Sequence, residues 1–256
     1  MQTNDKFVNK RVLVTGSSRG IGRATAQLFA AAGAKVVIHY HQNEEAGRAA
    51  LASLSGEGHQ LLQADLAEAE QVRQLVKNAA DHLGGLDILV NNAGIFLPHP
   101  FEDTPYEDWL QTWQRTINTN LTGAAVAAYS AVAYMKQQGF GKIINVGSRG
   151  AFRGEAGQPG YGASKAGLHA MGQSLAQALG PLGITVHTVA PGFVETAMAR
   201  PHLQGEAGEA VKRQSPLHRV ATVQDVANAI FYLASPEAEF TTGCILDING
   251  ASYLRT

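Results

Sequence analysis

The chain has 256 residues, 45% of them hydrophobic and only 16% charged, with a formal net charge of −1. That length suits a large α/β domain with a full core, and near-neutrality without a long run of one sign excludes the electrostatic footprint of a nucleic-acid or anionic-membrane partner. A single cysteine, Cys244, excludes an internal disulfide and argues against a zinc cluster, so no metal site is expected. The stretch from Met1 to Arg11 is polar and lacks a signal-peptide core. The most apolar run, Leu121 to Met135, is too short and too interrupted to span a bilayer. The expectation is a cytoplasmic protein, and its low charge points to surface buried against other subunits.

Taken in order, apolar runs of strand type alternate with helical patterns. Strands are expected at Arg11–Thr15, Lys35–Tyr40, Gln60–Ala64, Asp87–Asn91, Lys142–Gly147, Ile184–Ala190 and Cys244–Ile248. Helices are expected near Ile21–Ala32, Glu44–Ser55, Glu68–Leu83, Tyr106–Gln138, Gly160–Gly180 and Val223–Leu233. Such alternation makes βαβ crossovers and a doubly wound parallel sheet of about seven strands, helices on both faces, in one α/β domain of Rossmann type. The strands read as continuous apolar runs, as they must when both faces are covered. Ligands of such sheets sit beyond the carboxyl ends of the strands, so the residues following each strand are the candidates.

After the first strand comes Gly16-Ser17-Ser18-Arg19-Gly20-Ile21-Gly22. Gly16 permits a sharp turn, Gly20 lets backbone approach a pyrophosphate, and Gly22 lets the next helix lie close to the sheet. The free N–H groups of that helix then face an anion. The spacing is G-x-x-x-G-x-G, without the Gly-Lys-Ser/Thr of a P-loop. After the second strand comes Tyr40-His41-Gln42-Asn43, with no carboxylate before Glu44. An acid there would bind both ribose hydroxyls of NAD and repel a 2′-phosphate. Its absence, with Arg19 available to pair with the phosphate, favours NADP(H) and leaves NAD(H) possible. Asp65-Leu66 follows the third strand. Asp65 accepts from an adenine amino group or caps the next helix. Asn91-Asn92-Ala93-Gly94 follows the fourth and gives a small-residue turn at which backbone passes close to a cofactor.

Ser148 follows the fifth strand, Tyr161 lies 13 residues beyond it, and Lys165 is one helical turn after Tyr161. An ammonium beside a phenol favours the phenolate and makes the Tyr a proton donor and acceptor near neutral pH. With Asn120 in Thr119-Asn120-Leu121 and the run Pro191-Gly192-Phe193-Val194-Glu195-Thr196, these motifs resemble the short-chain dehydrogenase/reductase family, in family order over nearly the whole chain.

The resemblance implies roles. Tyr161 is the general acid and base, and Ser148 holds the substrate oxygen. Lys165 binds the nicotinamide ribose and lowers the Tyr161 pKa, and Asn120 holds a relay water. Pro191, Gly192, Val194 and Thr196 border the nicotinamide. A catalytically silent binder of the same fold is the competing reading, and the intact Asn120, Ser148, Tyr161 and Lys165 favour the enzyme. The nearest group is the 3-oxoacyl-acyl-carrier-protein reductases. However, Ala133-Tyr134-Met135 and Gly180-Pro181-Leu182 carry no base to steer an acidic carrier protein, and Asn249-Gly250-Ala251 departs from the usual Asp-Gly-Gly. A carrier protein is therefore a doubtful partner, and the expected one is a small carbonyl or alcohol. Its choice is expected to lie with Gly150 to Arg153 and the loop 193–215. Phe152 and Phe193 would wall a pocket there, and Arg153 would meet an anionic group or stand as surface charge. The apolar residues Ala124 to Ala128 and Val132 lie on more than one face of their helix. That pattern calls for burial on most sides and, with the family's habit, for a homotetramer.

Overall fold

The computed structural model describes residues 5–197, Ala199 and residues 203–255. Its strands are β1 (Arg11–Val14), β2 (Lys35–Tyr40), β3 (Gln60–Gln63), β4 (Ile88–Asn91), β5 (Gly141–Val146), β6 (Ile184–Pro191) and β7 (Ile245–Ile248), each within one residue of the expected bounds. They form one all-parallel sheet in the order β3-β2-β1-β4-β5-β6-β7. The order reverses between β1 and β4, and the cleft described below opens beyond the carboxyl ends of those two strands.

The continuous apolar runs are explained by two cores, one on each face. Val12, Val14, Val36 and Ile38 enter one cluster, and Leu13, Val37 and Leu89 enter the other. Helices α1 (Gly20–Ala31), α2 (Glu44–Ala52) and α9 (Val223–Leu233) cover the first face. Phe7, Phe29 and Phe231 pack there with ring centroids 4.6 to 5.4 Å apart. Helices α3 (Ala69–Leu83), α5 (Gly123–Gln138) and α7 (Pro159–Leu179) cover the second.

Three features differ from the sequence expectation. Tyr106–Gln138 is not one regular helix: α4 (Tyr106–Ile117) passes through a π turn at Asn118–Thr122 before α5 begins. Two short helices, α6 (Gly150–Arg153) and α8 (Gly205–Arg213), lie where loops were expected. Within the loop 193–215, residues 198 and 200–202 lie outside the described residues.

Gly22 packs α1 against the β1 turn. A Cβ there would stand 2.6 Å from the Gly16 carbonyl oxygen and 2.8 Å from Ser17 Cα, both backbone atoms with no room to give. Gly22→Ala is expected to cost about 1–3 kcal/mol by overpacking, read as a lower urea midpoint at unchanged slope.

Candidate active site

A cleft of about 1170 Å³ runs along the carboxyl ends of the strands. Every residue expected at the site lines it except Gly22, Asn120, Phe152 and Arg153. At one end is the glycine turn. Gly16 (φ +63°) and Gly20 (φ +58°) occupy the left-handed region that suits glycine, and a Cβ on Gly16 would stand 2.8 Å from Ala93 Cα. Asn92 ties the turn to β4 by donating from Nδ2 to the Thr15 and Gly16 carbonyls at 2.8 and 3.0 Å. Helix α1 starts at Gly20 with no side-chain cap and no acid in its first turn. Its free N–H groups and positive dipole end therefore face the cleft, which is the donor set a pyrophosphate requires.

His39, on β2, was not singled out by sequence reasoning as a site residue. It is buried, its Nδ1 accepts from the Gly16 N–H at 2.9 Å, and its Nε2 lies 3.1 Å from the Ala64 carbonyl. Burial pushes its pKa down to about 4, so the neutral ring locks the glycine turn to β2 and to the residue that follows β3. Arg19 lines the cleft and is exposed, and its side chain makes no hydrogen bond or ion pair among the described residues. Glu44, the nearest acid after β2, is paired with Arg48 at 2.5 Å. Asp65 does not cap α3, whose N-cap is Glu68. Its carboxylate accepts from Ala67 N–H at 2.9 Å and Arg115 Nη1 at 2.8 Å, and it lies 3.4 Å from His41 Nε2. Arg115, from α4, is a second cleft residue that sequence reasoning missed.

At the other end stand Ser148, Tyr161 and Lys165. Tyr161 and Lys165 point the same way from α7, as their spacing predicts, with Lys165 Nζ 5.8 Å from the Tyr161 ring centroid. Phe96 packs edge-on against the Tyr161 ring at 4.7 Å. Lys165 is buried and its Nζ donates to the Val146 carbonyl at 2.7 Å. Burial holds its pKa down from 10.5 to about 8. The expected lowering of the Tyr161 pKa by Lys165 is not what governs this phenol. Burial pushes the phenol up, a hydrogen bond with Ser148 pulls it down, and the Glu155 charge pushes it up again, for a net rise.

Two histidines brace this end. His169 Nε2 accepts from the Ser148 N–H at 3.4 Å, and burial with the Lys165 charge beside it holds His169 near pKa 4. His99 Nε2 accepts from the N–H of Gly160, the residue before Tyr161, at 3.0 Å. Asn120 sits in the π turn. Its Oδ1 accepts from Ile95 N–H at 2.8 Å, and its Nδ2 donates to the Ile95 carbonyl and Ser164 Oγ at 3.0 and 3.1 Å. It thereby joins the loop after β4 to α7 at Ser164, the residue before Lys165.

Phe152 and Arg153 do not line the cleft. The α6 turn rotates Phe152 out of the cleft onto His169, at 4.9 Å, with the Arg255 guanidinium 4.5 Å from its ring. Arg153 Nε lies 3.8 Å from Glu155 Oε1, so its charge faces that carboxylate. Glu155 itself lines the cleft and was missed. It lies in the glycine-rich stretch between Gly154 and Gly160, which carries no periodicity to orient a side chain.

The chain's likeness to known proteins agrees with this geometry. The family model described as enoyl-(acyl carrier protein) reductase matches residues 16–251. A 3-oxoacyl-acyl-carrier-protein reductase of Vibrio harveyi is 38% identical over 96% of this chain and 98% of its own. An L-rhamnose 1-dehydrogenase (NAD(P)(+)) of Azotobacter vinelandii is 40% identical over 97% and 98%. The crystal structure of a short-chain dehydrogenase from Burkholderia cenocepacia in complex with NADP superposes with a TM-score of 0.87 at 37% identity, covering 96% of this chain and 99% of that one. Sheet order, glycine turn, Ser–Tyr–Lys cluster and near-full-length identity converge, and the chain belongs to the short-chain dehydrogenase/reductase family of oxidoreductases.

Proposed function

We propose that the protein is an NADP(H)-dependent oxidoreductase acting on a ketone or secondary alcohol. The observation that carries the reading is the convergence of Ser148, Tyr161 and Lys165 at one end of a cleft whose other end is the uncapped N-terminus of α1. When bound, the cofactor supplies the hydride to the carbonyl carbon or takes it from the carbinol carbon. Tyr161 gives its phenolic proton to the carbonyl oxygen in reduction and takes it back in oxidation. Ser148 Oγ accepts from Gly150 N–H at 2.9 Å, and its hydroxyl proton, which bonds Tyr161 here, turns to the substrate oxygen when substrate binds. Lys165 binds the ribose hydroxyls and returns a proton toward Tyr161. A Cβ on Gly94 would stand 3.4 Å from both Asn120 Oδ1 and Lys165 Nζ, so the two groups of the proposed relay face the same residue. The pyrophosphate lies against the α1 N-terminus, and Val194 and Thr196 border the nicotinamide.

Arg19, with Tyr40 and His41 beside it, reads the 2′-phosphate. Arg19→Ala is expected to weaken NADPH more than NADH by about 1–3 kcal/mol, measured by fluorescence titration of both. An equal loss would show that Arg19 does not read the phosphate. The reading as a whole is tested by NADPH consumption, with NADH in parallel, across ketones, diketones, quinones and a 3-oxoacyl thioester. NADPH-dependent turnover of one class supports it, and cofactor binding without turnover of any counts against it. We also infer a homotetramer. Tyr129 on α5 is 81% exposed beside a helix face of small residues, and light scattering at micromolar protein should give four times the chain mass. A monomer would refute it.

A further inference from the structure

Glu155 lines the cleft together with Ser148, Gly150 and Tyr161; the other carboxylates lining it among the described residues are Asp65, beside Arg115, and Glu195, on the loop after β6. A Cβ on Gly150 would stand 2.9 Å from Glu155 Oε1 and 3.3 Å from Ser148 Oγ, and all three residues line the cleft, so the carboxylate and the substrate-holding hydroxyl stand near one another there. The Glu155 side chain is only 21% exposed, yet no side-chain hydrogen bond reaches it among the described residues. Arg153 Nε, at 3.8 Å, is beyond hydrogen-bond distance. Arg149, the other nearby cation, directs its guanidinium to Gln214 at 3.0 Å and Ser252 at 2.6 Å. A carboxylate so placed accepts hydrogen bonds and donates none. It rewards a donor and repels an anion.

We propose that Glu155 is a specificity-determining residue that accepts a hydrogen bond from a hydroxyl group on the carbon next to the reacting one, so that the substrate class is a neutral vicinal hydroxy-ketone or diol. This rests on the oxidoreductase reading above and refines it. Ser148 and Tyr161 hold the reacting oxygen, and Glu155, across the same pocket, takes the neighbouring hydroxyl. An acid on that neighbouring carbon, as in an α-keto acid, would bring two anions together. The charge that Glu155 places near the Tyr161 phenol is a second consequence of the same position.

The test compares three small ketones of similar size: acetoin, which carries the vicinal hydroxyl; butanone, which lacks it; and pyruvate, which replaces it with a carboxylate. The wild-type kcat/KM is expected to be about tenfold or more higher for acetoin than for butanone, with pyruvate poorest. Glu155→Ala should bring acetoin and butanone within about twofold of each other. Glu155→Gln, which keeps shape and an acceptor oxygen, should retain part of the hydroxyl preference and raise pyruvate relative to butanone. In Glu155→Gln the rise of alcohol oxidation with pH should also move to lower pH, because the phenolate loses a like charge. NADPH fluorescence titration shows that each variant is folded and binds cofactor. Equal wild-type turnover of acetoin and butanone, or an acetoin preference unmoved by Glu155→Ala, overturns the assignment of Glu155 and leaves the reductase reading standing. NADPH binding with no oxidation by any of these ketones or by the wider panel above overturns the reductase reading and this assignment with it.

Discussion

Tyr161→Phe is expected to leave NADPH binding intact and to slow carbonyl reduction by about 10²–10⁴-fold, the usual worth of a positioned general acid. The substitution removes one oxygen and keeps the ring, so the edge-on packing on Phe96 at 4.7 Å survives and α7 keeps its place. Reduction then has to draw its proton from water or from Ser148. The pH dependence follows from the same surroundings. Burial and the Glu155 charge hold the phenol above its ordinary value, against the pull of the Ser148 hydrogen bond. The phenol is therefore protonated at neutral pH, ready to act as an acid, and the phenolate that oxidation needs forms only at higher pH. Reduction should be nearly flat around neutrality, while alcohol oxidation should climb with pH and lose that climb in Tyr161→Phe. Single-turnover traces with NADPH and with NADP⁺ across this range read both. A variant with undiminished turnover would remove Tyr161 from the chemistry.

The sheet was legible because its physics is repeated along the chain. Alternate residues of β1 and β2 enter opposite cores, so both faces demand apolar side chains and every strand stands out. The glycine turn was legible because Gly16 and Gly22 occupy positions where a Cβ meets backbone. The π turn was not, since its residues keep helix-like dihedrals at both caps and disturb no hydrophobic period. That turn decides where Asn120 sits, so the residue was readable and its bracing role was not. Helix α8 did leave a trace, with Glu206 in its first turn and Lys212 and Arg213 in its last, matching the helix dipole. Phe152 was misplaced because α6 is a single turn, too short for a periodic pattern, and that turn sends the ring onto His169. His39, His99, His169 and Glu155 take their roles from partners 21 or more residues away, or from a loop without period, and such pairings leave no mark in one sequence.

Lys165→Met is expected to abolish most turnover and yet stabilise the cofactor-free protein. Lys165 is buried with the Val146 carbonyl as its hydrogen-bond acceptor, and burial brings its pKa from 10.5 to about 8. Between those values the unfolded chain binds the proton more readily than the folded one, so the stability contributed by this group rises with pH across that window. Below pH 8 the folded protein carries the full cost of a buried ammonium, about 3 kcal/mol. Methionine removes that cost and fills similar volume, while the Val146 carbonyl loses a partner at about 1 kcal/mol. The variant should thus gain about 1–3 kcal/mol at pH 7 by urea unfolding, and its advantage over the wild type should shrink to nothing as pH approaches 10.5. Turnover should fall by at least about a hundredfold, since the ribose and the proton relay lose their anchor. A destabilised variant, or an advantage that does not change with pH, would show that the folded state does not strain the ammonium. Stability gained where activity is lost marks Lys165 as a charge kept in the core for its chemistry rather than for the fold.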